Sequence, residues 1–164
     1  MSSHSSDSFP HLPTISVESL KIVIGREASP SGSDWPYSII NFAEVQVYAG
    51  QTQLSSASLT FTLSSSYYAA DNCNDGNFLN FCTSGLYNDY SPTLTIDTDY
   101  QFFDKVVVYN PMHCCWDRMV GATVQVVGAG SGTIYNFWTV NTQAGTYTFV
   151  RGKTTNSYCN KMKG

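Results

Sequence analysis

Eight short stretches of the chain alternate apolar and polar residues, which is the pattern of a strand with one buried face. In the stretch 58–64, Leu59, Phe61 and Leu63 share one side while Thr and Ser residues occupy the other, because successive strand side chains point to opposite faces. The predicted strands are 20–24, 42–48, 58–64, 93–97, 105–109, 122–127, 134–140 and 146–150. No stretch has a convincing helical period, so the sequence predicts an all-β protein of about eight short antiparallel strands, folded as a sandwich or a barrel.

The length of 164 residues is that of one ordinary domain. We expect this domain to span residues 16–151, after a flexible lead-in at 1–15 that is rich in Ser and Pro, and before a polar tail at 152–164. Two connections, 26–38 and 67–92, are long for a β-protein. Because long ordered loops on a β scaffold often carry binding residues, we expect a binding site there.

The composition limits the classes of partner. Charged residues make up only 12% of the chain, whereas Ser, Thr, Asn, Gly and Tyr are abundant, as in many extracellular β-proteins. The net charge of -4, with only eight dispersed Lys and Arg residues, argues against nucleic acid as a partner. Apolar runs such as 106–109 are far shorter than the roughly 20 residues of a membrane helix, so we expect no membrane span.

The sequence lacks the motifs of common catalytic sites. His113 is the only histidine inside the predicted domain, and no nucleophile elbow, phosphate-binding loop or zinc-ligand spacing is present. We therefore expect a protein that is not an enzyme.

The stretch "NCNDGNFLN" at 72–80 concentrates oxygen-bearing side chains around a glycine. Ca2+ binds six to eight oxygen atoms, several of them backbone carbonyls that a tight turn leaves free. Asp75 is the only carboxylate of the stretch, so a distant acid such as Glu44 would have to join it. The alternative interpretation is an Asn-Asp-Gly turn whose side chains are solvated.

Three segments together resemble a known family of extracellular domains. "INFAEVQVY", "DGNFLNFCTS" and "NPMHCCWDRMVGATVQV" are similar to the discoidin or coagulation-factor C-type family, whose galactose-binding-like β-sandwiches (jelly rolls) include fucose-binding lectins. The resemblance covers most of residues 16–150. In the family the "AEVQVY"-type strand normally closes the domain, whereas here it precedes the "DGN" loop. The chain therefore resembles a member that is circularly permuted or cut out of phase from a tandem array, and nearby sandwich termini would tolerate such a cut.

The resemblance implies a calcium site built from two remote segments, with Ca2+ as the cofactor. It supplies the second acid that the 72–80 stretch lacks. The implied ligands are the backbone carbonyls of Asn72, Asn77 and Ala43, the side chains of Asp75 and Asn80, and the carboxylate of Glu44.

The resemblance also implies a sugar site, at the adjacent cysteines. Fucose-binding members carry Arg-x-Asp-Cys-Cys-x-x-Arg, and here Pro111 stands at the first Arg, His113 at the Asp and Arg118 at the second Arg. An earlier His of the family corresponds to Ser84 or a neighbour. The implied ligand-binding residues are His113, Cys114, Cys115, Trp116, Arg118 and Ser84.

The resemblance further implies two disulfides, Cys114–Cys115 and Cys73–Cys82, which leave Cys159 over. A disulfide between adjacent residues would expose a flat sulfur face on which a pyranose could stack, or it would only rigidify the loop. Paired thiols imply an oxidising compartment, so we expect a secreted protein or one at a particle surface.

Two functions remain open at this point. The first is a calcium-stabilised carbohydrate-binding (lectin-like) module whose partner is a glycan. The second is a structural subunit of an extracellular or viral-surface assembly, which keeps the fold without a working sugar site and contacts neighbouring protein subunits. A homo-oligomer would be one form of such an assembly.

Overall fold

The computed structural model describes residues 18–27, 39–85 and 89–152. These residues form eleven β-strands and three short 3-10 turns, and none of them lies in an α-helix. The strands are β1 (Leu20–Gly25), β2 (Asn41–Phe42), β3 (Glu44–Ala49), β4 (Thr52–Gln53), β5 (Thr60–Leu63), β6 (Cys82–Thr83), β7 (Thr93–Asp97), β8 (Lys105–Tyr109), β9 (Thr123–Gly128), β10 (Ile134–Thr139) and β11 (Thr146–Val150). The all-β prediction is confirmed.

The strands form two larger sheets and one small pair, all antiparallel. The five-stranded sheet has the order β10-β9-β1-β7-β5, the four-stranded sheet has the order β11-β8-β3-β4, and β2 pairs with β6. Side chains from both larger sheets belong to one buried cluster, as in a β-sandwich. The five-stranded sheet contributes Ile22, Ile24, Leu94, Ile96, Val124 and Val126, and the four-stranded sheet contributes Val45, Val47, Val106, Val108, Tyr147 and Phe149.

One predicted strand is split in two. The stretch 42–48 divides at Ala43, because Phe42 pairs with Cys82 whereas Glu44 pairs with Tyr109 of β8. The chain thus changes its pairing partner at this point. Residues 40–45 are all buried, so their burial does not alternate.

The two ends of the sandwich carry different loops. At one end, which we call the Glu44 end, lie the starts of β3 and β9, the end of β8, and Arg26 directly after β1. The loop 110–122 joins the two larger sheets there. At the opposite end, Glu18, Tyr100 and Arg151 line a cleft of about 650 Å³.

The predicted domain limits are only partly covered by the structure. The lead-in at 1–15 and the tail beyond residue 152 lie outside the described residues, as does Cys159. Glu18 and Arg151, close to the two limits, line the same cleft and are therefore near each other. Across residues 18–27, 39–85 and 89–152, no helix has the length and apolarity required to cross a membrane.

Candidate calcium and ligand site

A loop between β5 and β7 is fixed to the core by two cysteines. Cys73 and Cys82 are fully buried, their Cα atoms are 5.1 Å apart, and they form the predicted disulfide. Cys73 ends a 3-10 turn, Ala70–Cys73, which lies against β3, β5 and β6. The residues between the two cysteines therefore form a short loop whose two ends are fixed.

Side chains of this loop close it from within. The Asp75 carboxylate accepts hydrogen bonds from the backbone N–H of Asn77 at 2.8 Å and from the side-chain nitrogen of Asn80 at 2.6 Å. The side-chain oxygen of Asn77 accepts from the N–H of Leu79 at 3.1 Å. Gly76 has a φ of +75°, which glycine adopts without strain. The Asn-Asp-Gly turn is thus present, and its carboxylate is directed into the loop.

Glu44 reaches this loop from the start of β3. It lies on the face of β3 opposite to Val45 and Val47, and the loop covers that face, so Glu44 is only 1% exposed. Its carboxylate accepts a hydrogen bond from the N–H of Gly76, 32 residues away in the chain, at 3.3 Å. Burial raises the pKa of Glu44 to about 7, and the nearby charge of Asp75 adds to the rise. The structure therefore brings the two predicted acids to one place.

The oxygen atoms around Glu44 have few partners. Within the part of the chain that the structure describes, the side-chain oxygen of Asn80 is shielded from solvent and accepts no hydrogen bond, and the Glu44 carboxylate has one donor. Buried oxygens without donors are unfavourable unless a cation or a hydrogen bond compensates them. The Glu44 carboxylate and the side-chain oxygen of Asn80 are therefore suited to bind a hard cation. The side-chain nitrogen of Asn74 is also unpaired, and a cation would not satisfy it.

The remaining predicted ligands also lie near this region. Ala43 directly precedes Glu44 and is buried, and the side chain of Asn72 donates to the carbonyl of Phe81 at 3.3 Å. Across the described residues, no group of three or more His, Cys, Asp or Glu side chains could hold a metal. The predicted set contains only two carboxylates and otherwise uses amide and backbone oxygens.

The raised pKa of Glu44 predicts a pH dependence for the metal-free protein. In the unfolded chain this carboxyl has a pKa near 4.5, and in the folded chain near 7. The folded state therefore binds more protons between these values, so in excess chelator the free energy of unfolding should fall as pH rises from 5 to 7.5. The slope is at most about 1.4 kcal/mol per pH unit.

Urea unfolding at several pH values measures this slope, and Glu44→Gln provides the control because glutamine does not titrate. A wild-type slope that persists unchanged in Glu44→Gln would contradict the assignment to Glu44.

The loop with the adjacent cysteines begins directly after β8. The side chain of Asn110 donates to the carbonyl of Ala144 at 2.7 Å, and the indole N–H of Trp116 donates to the carbonyl of Pro111. Cys114 and Cys115 form the second predicted disulfide, with Cα atoms 3.7 Å apart. Cys115 has a φ of +69°, which is uncommon for a residue other than glycine. The loop thus has a defined backbone conformation.

The predicted ligand-binding residues divide by exposure. His113, Cys114 and Trp116 are exposed, and Arg118 is about half-buried, so these four share one accessible loop. Ser84 is different, because it is fully buried and its hydroxyl accepts a hydrogen bond from the N–H of Ile40 at 3.2 Å. Solvent does not reach Ser84, so Ser84 does not lie on the accessible surface that the predicted sugar site requires.

Tyr109 connects the two loops. It is the last residue of β8 and faces Glu44 across the strand pair. The ring of Phe78, from the loop between Cys73 and Cys82, packs edge-on against the Tyr109 ring with centroids 5.0 Å apart. Burial raises the pKa of Tyr109. The two predicted sites are therefore adjacent at the Glu44 end.

Arg26 was not among the predicted site residues. Its guanidinium donates to the carbonyl of Arg118 at 3.2 Å, although the two residues are 92 positions apart. The only sequence signal for Arg26 is its place as the first residue of the long connection 26–38.

Comparison of the chain with protein-family models, with curated proteins and with solved structures finds no match.

Proposed function

We propose that this protein is a non-catalytic, calcium-stabilised carbohydrate-binding module with a galactose-binding-like sandwich fold, and that its ligand site lies at the Glu44 end. The observation that carries the proposal is the buried Glu44 carboxylate, which lies against the loop between Cys73 and Cys82 and has no cationic partner among the described residues. The secreted location that we propose agrees with the two disulfides.

The calcium site would use oxygens from two segments. Glu44 and Asp75 would supply the charge, the side chain of Asn80 its unpaired oxygen, and Asn72, Asn77 and Ala43 backbone carbonyls. Bound Ca2+ would neutralise the two carboxylates and hold the loop onto β3. The loop packs on Tyr109 through Phe78, so a fixed calcium loop also supports the start of the neighbouring cysteine loop.

The sugar would bind on the cysteine loop. The Cys114–Cys115 pair and the ring of Trp116, which is 42% exposed, offer an apolar surface for the carbon face of a pyranose. Arg118 and His113 offer donors for its oxygen atoms. No covalent step is required of any of these residues.

A second candidate function is that of a structural subunit. Large apolar side chains are exposed around the calcium loop, including Leu79 at 83%, and the edge strand β10 exposes Ile134, Tyr135 and Phe137. Exposed apolar surface of this kind is typical of protein interfaces, including those of homo-oligomers.

A glycan array separates the two candidates. We expect the purified protein to bind a defined set of glycans in millimolar calcium, and to lose most of this binding in excess chelator. On the same array, Glu44→Gln in calcium should bind as little glycan as the wild-type protein binds in excess chelator. A folded wild-type protein that binds no glycan in calcium would exclude the carbohydrate-binding proposal and favour the structural subunit.

A further inference from the structure

Basic residues are few in this acidic chain, and most of those in the described segments have a partner. The described segments contain five of the eight Lys and Arg residues. Lys21 pairs with Asp97 at 3.5 Å, Lys105 lies over the ring of Tyr48 at 4.1 Å, and Arg151 donates to the carbonyl of Phe103 at 2.8 Å and lies over its ring. The other two, Arg26 and Arg118, lie beside each other.

Arg26 and Arg118 come together from different parts of the fold. Arg26 follows β1, and Arg118 lies in the 3-10 turn Trp116–Met119 of the loop that carries the adjacent cysteines. The guanidinium of Arg26 donates to the backbone carbonyl of Arg118 at 3.2 Å. Within the described residues, the Arg118 guanidinium has neither a hydrogen bond nor an ion pair, although it is about half-buried. Burial lowers the pKa of Arg118 and the charge of Arg26 lowers it further, whereas Asp117 opposes the effect.

Arg26 and Arg118 are suited to bind one anion together, because the Arg26 guanidinium lies at the Arg118 backbone and the two charges interact. Each offers a planar fork of N–H donors and no acceptor, and this geometry matches the paired oxygens of a carboxylate or a sulfate. A neutral sugar would leave the repulsion between the two charges in place, whereas an anion removes it. The nearby carboxylates of Asp117 and Glu27 are on exposed residues, so water screens them.

We propose that Arg26 and Arg118 together bind the carboxylate or sulfate group of an acidic glycan, whose ring lies against the adjacent Cys114–Cys115 pair and Trp116. The assignment rests on the proposed carbohydrate-binding function and specifies its substrate class. Pro111 stands where the motif of the similar lectins has its first arginine, and Arg26 would supply a guanidinium in its place.

Calorimetry with matched glycans tests the assignment. The probes are N-acetyllactosamine, its 3-O-sulfated form and its N-acetylneuraminic acid-capped form, titrated in calcium. We expect an acidic form to bind at least about tenfold more tightly than the neutral one, with a preference that weakens as salt increases. Arg26→Gln and Arg118→Gln should each lose about 10- to 100-fold in affinity for the acidic form.

Two control variants distinguish a loss of anion binding from a general effect of charge or folding. Lys105→Gln removes the same charge at the opposite end of the sandwich and should bind like wild type. Arg26→Lys keeps the charge but lacks the fork, so it should bind more weakly than wild type even if Arg26→Gln fails to fold. Equal affinity for neutral and acidic forms, or wild-type affinity in a folded Arg26 variant, would overturn the acidic-glycan assignment and leave the proposed function standing. Absence of binding to every glycan of a broad array would overturn both.

Discussion

Removal of calcium is expected to lower the free energy of unfolding of the wild-type protein by about 2.7 kcal/mol, if the reference contains calcium at 100 times its dissociation constant. The reason is that a bound calcium ion would hold Glu44 of β3 against the loop between Cys73 and Cys82, whose Gly76 is 32 residues away in the chain. Removal of the ion would break this link between two remote segments. Without a cation, the buried Glu44 carboxylate lies near the exposed Asp75 carboxylate, and among the described residues the Gly76 N–H is its one hydrogen-bond donor. Urea unfolding in calcium and in excess chelator measures the difference.

Variants at the two acids should remove this calcium response. Glu44→Gln and Asp75→Asn each delete one of the two charges, so their stability should be the same in calcium and in chelator. Asp99→Asn is the matched control, since it removes one carboxylate at the opposite end, and asparagine tolerates the positive φ of this position. A response of wild-type size in Glu44→Gln would show that the calcium ligands have been misassigned.

The second large effect is expected at the Cys73–Cys82 disulfide, which closes the proposed calcium loop. The double variant Cys73→Ala/Cys82→Ala should lower the free energy of unfolding by about 2.5 kcal/mol, as the chain-entropy treatment gives for a closure of nine residues. It should also weaken calcium binding, because the two cysteines fix the ends of the ligand-bearing loop. Chemical unfolding in the absence of reductant measures the first effect.

The variant Cys114→Ala/Cys115→Ala is the internal comparison. Its disulfide joins neighbours in the chain, so it removes little loop entropy from the unfolded state, and we expect only a small change in stability. Peptide mapping without reductant checks the two pairings directly. A Cys73/Cys82 variant as stable as wild type, or a map that links Cys82 to Cys159, would contradict the account.

Much of the fold was predictable, because most of the longer strands have one face in the core, although β10 buries only Trp138. Alternation of apolar and polar residues locates all eight of these strands to within two residues of the observed bounds. It does not reveal β2, β4 and β6, because two residues cannot show a period. It also misses the break at Ala43, where side chains on both faces are buried.

The candidate site was predictable only in part. Alternation alone assigns Glu44 to the solvent face of β3, opposite Val45, and its burial depends on a loop that folds over it from 32 residues away. The resemblance to the discoidin family placed Glu44 correctly beside that loop but put Ser84 in the sugar site, although Ser84 is fully buried beside Ile40. Long-range placement of this kind leaves no local pattern, which is also why Arg26 was missed.

The central claim is that Glu44 and the Asp75 loop bind one calcium ion, and isothermal titration of calcium chloride into metal-free protein tests it most directly. The account predicts one calcium per chain for wild type and for Asp99→Asn, and no detectable binding for Glu44→Gln. Absence of calcium binding to folded wild-type protein, or the same isotherm for Glu44→Gln as for wild type, would contradict it.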